Sequence, residues 1–174
     1  MNKQHIIKWL MFVGFFCLLS LFAPSVTIAS PVHVSDWTTV GLGEMDTDSV
    51  MVSMIQYLLR AHGYYVVADG QFGTKTQQQV RAFQRHNGLY VIGTVNGKTW
   101  ERLIISLHRG SHGDAVRAAQ VALQEISDDK LPIDGLYGLR TEQAVRAMQK
   151  ADRLSVDGLV GPETWLDLTD PVPD

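Results

Sequence analysis

Apolar residues recur at helical spacing in six places along the 174-residue chain. Val52, Ile55 and Leu59 define the first stripe, with Gln56 beside them, and His62-Gly63 ends it. A helix over about 74–87 carries Thr76, Val80 and Phe83 on one face and closes at Asn87-Gly88. A third, opened by Asn96 as N-cap, carries Trp100, Leu103, Ile104 and Leu107. The set then repeats. Asp114 begins a helix with Val116, Ala119 and Leu123 inward and Gln120 beside them. The next has Thr141, Val145 and Met148. The last starts at Gly161-Pro162, with proline at its first position, and buries Trp165 and Leu168.

A short turn-to-helix stretch precedes four of these helices. It reads Asp69-Gly70-Gln71-Phe72-Gly73-Thr74-Lys75-Thr76 and Asp134-Gly135-Leu136-Tyr137-Gly138-Leu139-Arg140-Thr141 in the two clearest copies. Asp157 to Thr164 is a third copy, and Ile92 to Thr99 a worn fourth. Asp-Gly makes a tight turn because glycine tolerates positive φ. Residues 69–103 align with 134–168 without a gap, and 16 of the 35 positions are identical. The first helices match as well (Val52/Val116, Gln56/Gln120, Leu59/Leu123). A repeat of about 64 residues exceeds the solenoid periods, so the pattern predicts an all-α fold of two tandem three-helix domains.

Charge and composition place these domains. Lys3 and Lys8 precede an uncharged run from Trp9 to Ala29, whose most apolar part ends at Ala23. That length suits a secretory h-region, and residues 1–29 read as a signal peptide cleaved near Ala29. The competing reading is an uncleaved anchor, the one route by which this chain would meet a membrane. Loss of the two lysines takes the net charge from −3 to −5. An acidic exported chain without a basic stripe argues against nucleic-acid binding. The single cysteine, Cys17, falls in the signal segment, so the mature chain has neither disulfide nor thiolate chemistry. The expected organisation is a linker over 30–47, domains at 48–107 and 108–170, and a tail at 171–174, exported to the periplasm or cell envelope.

The order of these motifs resembles the type 1 peptidoglycan-binding domain, a three-helix module found beside many bacterial cell-wall hydrolases. The second unit follows its pattern from Val116-x-x-x-Gln120 through Asp134 to Thr141, Val145 to Gln149 and Leu154 to Leu168. The first departs at Ile92 and Asn96, where the pattern has Asp and Gly. Gly110-Ser111-His112-Gly113 leads into the second unit, and no such lead-in precedes the first. The resemblance implies a peptidoglycan ligand, glycan strand or stem peptide, with a cell-wall hydrolase as a possible partner.

Candidate binding residues are those of the two clearest motif copies: Asp69, Gly70, Phe72, Gly73, Lys75 and Thr76, and Asp134, Gly135, Tyr137, Gly138, Arg140 and Thr141. Much of this set has a structural reading as turns and caps. The functional reading rests on the helix starts, where unpaired N–H groups favour a carboxylate and Lys75 or Arg140 stands beside them. His108-x-x-x-His112 lacks a third ligand and predicts no metal site, and no cofactor is expected. There is no cysteine nucleophile or serine elbow, and the two repeats take up the mature chain, so binding without catalysis is expected. A small cell-wall hydrolase or the accessory subunit of one, and a protein–protein module on the same fold, are the alternatives.

Overall fold

A computed structural model describes residues 32–42, 49–126 and 131–169. The signal segment, the tail, the polar loop 127–130 and linker residues 43–47 lie outside the described residues. Six helices form two sets of three: α1 (Ser49–Ala61), α2 (Thr74–His86) and α3 (Gly97–Leu103), then α4 (Asp114–Ile126), α5 (Leu139–Ala151) and α6 (Pro162–Thr169). Among the described residues there are isolated bridges but no named strand, and no helix is long and apolar enough to cross a membrane.

Each helix is set by the periodicity that predicts it. On α1, Val52, Ile55, Gln56 and Leu59 are buried at i, i+3, i+4 and i+7. On α4 the equivalent Val116, Ala119, Gln120 and Leu123 are buried. Val80 and Phe83 from α2, Trp100 and Leu103 from α3, and Val145, Met148, Trp165 and Leu168 from α5 and α6 complete the two interiors. Asn96 caps α3 by accepting from Thr99 N at 3.1 Å.

The two units share one core. α1 and α4 pack on each other more extensively than any other pair of helices. Arg60, in the last turn of α1, is bonded to Asp114, in the first turn of α4, at 3.0 Å, so the two helices run antiparallel. Met54 and Leu58 are buried off the α1 face that serves its own unit, as are Ala115, Ala118 and Ala122 on α4. Large side chains on one helix and small ones on the other give the close approach that interdigitated packing needs.

The structure differs from the linker reading over residues 32–42. Trp37 is only 5% exposed and stacks on Trp100 with ring centroids 5.5 Å apart. Val40 exchanges two backbone hydrogen bonds with Val95, at 3.0 and 2.7 Å, and Trp100 Nε1 donates to Thr38 O at 2.9 Å. An aperiodic segment is held here by one aromatic stack and one bridge, which helical spacing does not register.

The same device corrects the third helix. It ends at Leu103, and Ile104 to Leu107 are not part of it. Leu107 instead exchanges hydrogen bonds with Val160 at 3.1 and 2.9 Å, and Trp165 Nε1 donates to Ile105 O at 2.9 Å. The segment expected to close the first unit therefore packs on the second, as residues 38–40 pack on the first.

Candidate functional site

The repeated motif is built around a buried glutamine on the preceding helix. Gln120 reaches from α4 with Nε2 2.9 Å from Asp134 Oδ1, 3.1 Å from Leu136 O and 3.2 Å from Thr141 Oγ1. Its Oε1 accepts from Gly135 N at 2.8 Å. Gln56 makes the same set with Asp69, Gln71 O, Thr76 and Gly70 N. Gln149 makes it with Asp157, Leu159 O, Thr164 and Gly158 N. All four glutamines, Gln84 included, are at most 1% exposed. A buried amide is stable only when its donors and acceptor are satisfied. The positive φ of Gly135, +75°, lets the turn aim its N–H at the amide oxygen.

These bonds reassign several candidate ligand residues. Thr76 and Thr141 are buried partners of Gln56 and Gln120. Tyr137 is 2% exposed, and its hydroxyl donates to Gly158 O at 2.9 Å, so its ring has no face open to a ligand. Burial pushes that hydroxyl's pKa up. Phe72 is half-buried against the core. Asp69 and Asp134 are exposed, but Oδ1 of each accepts from the backbone two residues on and from the glutamine. Both carboxyls are held below their ordinary value, first by the N–H of Gln71 or Leu136, then by the amide of Gln56 or Gln120. Gly70 and Gly135 serve the turn.

What remains open is the helix start. Gly73 and Gly138 stand in extended conformation at the N-caps of α2 and α5, with no side-chain cap. Lys75 and Arg140 are exposed beside them, in no ion pair among the described residues. Leu136 and Leu139, just before Arg140 in the chain, are 60% and 52% exposed, apolar positions missing from the candidate set. Their first-unit counterparts are Gln71 and Thr74. The second unit thus offers a cation after two exposed leucines, the first a cation after two polar residues. The signal was present in the sequence, since leucines occupy both variable positions of the better copy.

Two further clefts lie nearby. One, of about 440 Å³, follows the last copy and is lined by Leu154, Asp157, Leu159, Pro162 and Glu163, with Val32 on its wall. The other lies between the units. Arg60 and Asp114 border adjoining hollows of about 520 and 380 Å³, with His108 to Gly113 along one and Tyr64 to Val67 along the other. His108 and His112 both line the larger hollow, and His108 Nδ1 lies 2.9 Å from Arg109 O.

Comparison with known proteins identifies the repeated unit. Residues 49–103 and 112–166 each match the family described as "Putative peptidoglycan binding domain". An N-acetylmuramoyl-L-alanine amidase, CwlM, of Mycobacterium tuberculosis is 35% identical over 105 residues, covering 53% of this chain and 26% of that protein. A zinc D-Ala-D-Ala carboxypeptidase of Streptomyces albus G is 36% identical over 77 residues, covering 42% and 29%. A peptidoglycan-binding protein from Clostridioides difficile, solved in complex with glutamine hydroxamate, is 36% identical with a TM-score of 0.36, covering 38% of this chain and 41% of that one. The chain thus spans well under half the length of each of these relatives.

Proposed function

Because the chain belongs to the peptidoglycan-binding domain family, we propose that it is an exported, non-catalytic protein that holds on to cell-wall peptidoglycan through its two domains. The observation that carries this reading is the α5 start, where Leu136, Leu139 and Arg140 stand exposed on a scaffold fixed by Gln120. A guanidinium beside free helix N–H groups suits a stem-peptide carboxylate, and the leucines suit the small apolar side chains next to it. Asp134, Gly135, Tyr137, Gly138 and Thr141 shape this contact from behind.

The α2 start, with Lys75 beside Gly73, is a second and weaker contact, shaped by Asp69, Gly70, Phe72 and Thr76. Two weak sites on one body raise retention through effective concentration. Residues 1–29 direct export, and the protein acts by anchoring itself or a cell-wall hydrolase at the wall.

Co-sedimentation of the mature chain with purified sacculi tests the reading. The protein is expected in the pellet, with no soluble fragments released from the wall. Protein left in the supernatant contradicts the binding function, and released fragments contradict its non-catalytic character.

A further inference from the structure

The hollow between the units carries chemistry that neither domain has alone. Arg60 spends only Nε on Asp114, at 3.0 Å. Asp114 is shared with Arg117, whose Nη1 lies 3.0 Å from its other oxygen. Two guanidinium groups therefore face one carboxylate, which leaves one positive charge uncompensated within the group. Both Nη groups of Arg60 are without a partner among the described residues, and its side chain is 40% exposed. Its guanidinium carbon lies 5.5 Å from the centre of the Tyr57 ring, which supports the planar fork from one side. A fork held on one edge by an acid and open on the other accepts a further carboxylate in bidentate geometry.

The walls suit a peptide of the cell wall. Ser111, His108 and His112 bring polar groups to one side. On the other, Tyr64 is anchored edge-on to Phe83 at 5.7 Å, and its neighbour Tyr65 is 92% exposed, an open ring face on a fixed base. The strip along the larger hollow is also tied to the turn before α5. Gly110 N donates to Tyr137 O, Tyr137 N to Ser111 O, and Gly113 N to Gly135 O, all between 2.8 and 2.9 Å. The strip that forms its wall is thus bonded to the turn leading into Gly138.

We infer that the Arg60 hollow is a further, interdomain subsite that takes the free carboxylate of a short peptide, with Tyr65 stacking beside it. The inference rests on the peptidoglycan reading above and adds a site that requires both units together. The full mature chain is titrated with acetyl-alanyl-alanine, with its C-terminal amide, and with inorganic phosphate, following backbone amide chemical shifts.

The free acid is expected to shift amides of His108 to Ala115 and Tyr64 to Val67, and the amide form to leave them in place. Arg60→Gln should weaken the response about tenfold, and Arg60→Lys less. Asp114 keeps Arg117 in both variants, and the acid-against-amide comparison in the unaltered chain needs no variant. Equal shifts with acid and amide overturn the inference, as does phosphate acting at lower concentration than the acid. Loss of sacculus binding by the unaltered chain would instead overturn the wider reading, whereas intact sacculus binding without these shifts sinks the subsite alone.

Discussion

In the second unit, Asp157 Oδ1 accepts from Gln149 and from Leu159 N at 2.9 Å each, and so binds the last turn to the helix before it. In the first unit Ile92 stands at the same step, half out in solvent, and Gln84 keeps only Thr94 O, Thr99 and Gly93 N. Asn96 takes over part of the task by accepting from Thr99 N and from its hydroxyl. A second difference lies at the start of the third helix. Gly97 is buried under Val34, whose carbonyl occupies the place a Cβ would take. The equivalent Pro162 is exposed and borders an open cleft. The first unit has one turn contact fewer and a cover over the start of its third helix, while the second keeps that contact and leaves the equivalent helix start open. One scaffold thus supports two degrees of exposure without changing its core.

This contrast can be broken at several points. Trp37→Ala removes the ring that covers the first unit and should destabilise the protein by about 3–5 kcal/mol, read by urea unfolding. A loss below about 1 kcal/mol would show that the segment is only resting on the surface. Gln120→Ala orphans Gly135 N and takes the amide donor from Asp134, Leu136 O and Thr141 Oγ1 as well as opening a cavity, so about 3 kcal/mol is expected. Gln84→Ala, with one fewer partner in its turn, should cost about 2 kcal/mol. Equal losses would mean that Asp134 adds nothing to its turn.

Gly97→Ala inverts the usual helix preference. Alanine normally favours a helix, yet here it should cost about 1–3 kcal/mol by displacing Val34, and unfolding should show Pro162→Ala to be milder. If Gly97→Ala stabilises, the covering segment is not seated as described. Ile92→Asp sharpens the comparison in the other direction. A carboxylate there should recover the bonds from the Gln84 amide and Thr94 N, raising stability by about 1 kcal/mol. No gain would mean that the first unit has adjusted fully around isoleucine.

The three-helix units were legible because each turn sits at a fixed distance from its helix, and the glutamine that closes it lies one helix earlier in register. Local capping and periodicity encode both features, and Gln56, Gln84, Gln120 and Gln149 all fall where their patterns put them. The union of the units was less legible. Met54 and Leu58, with Ala115, Ala118 and Ala122, form second apolar faces on helices whose first faces already account for the periodicity.

Residues 38–40 and 105–107 were missed for a related reason. They are single bridges without alternation, and the run Leu103 to Leu107 imitates helical spacing. In the candidate site, Arg140 and Lys75 were identifiable as cations at helix starts. Tyr137 was misjudged because nothing local distinguishes an aromatic turning inward to Gly158 from one facing solvent. Arg60 and Asp114 are 54 residues apart, and only the antiparallel packing of α1 on α4 brings them together.

The most direct test pairs two charge reversals on sacculus binding, Arg140→Glu and Lys75→Glu, in the full mature chain. Both side chains are exposed and outside the glutamine network, so both variants should unfold like the parent. Arg140→Glu is expected to lower the bound fraction sharply, by about tenfold in affinity, and Lys75→Glu to lower it slightly. Retention unchanged by Arg140→Glu, or lowered equally by both, would contradict the assignment of the second unit's exposed helix start as the principal contact with peptidoglycan.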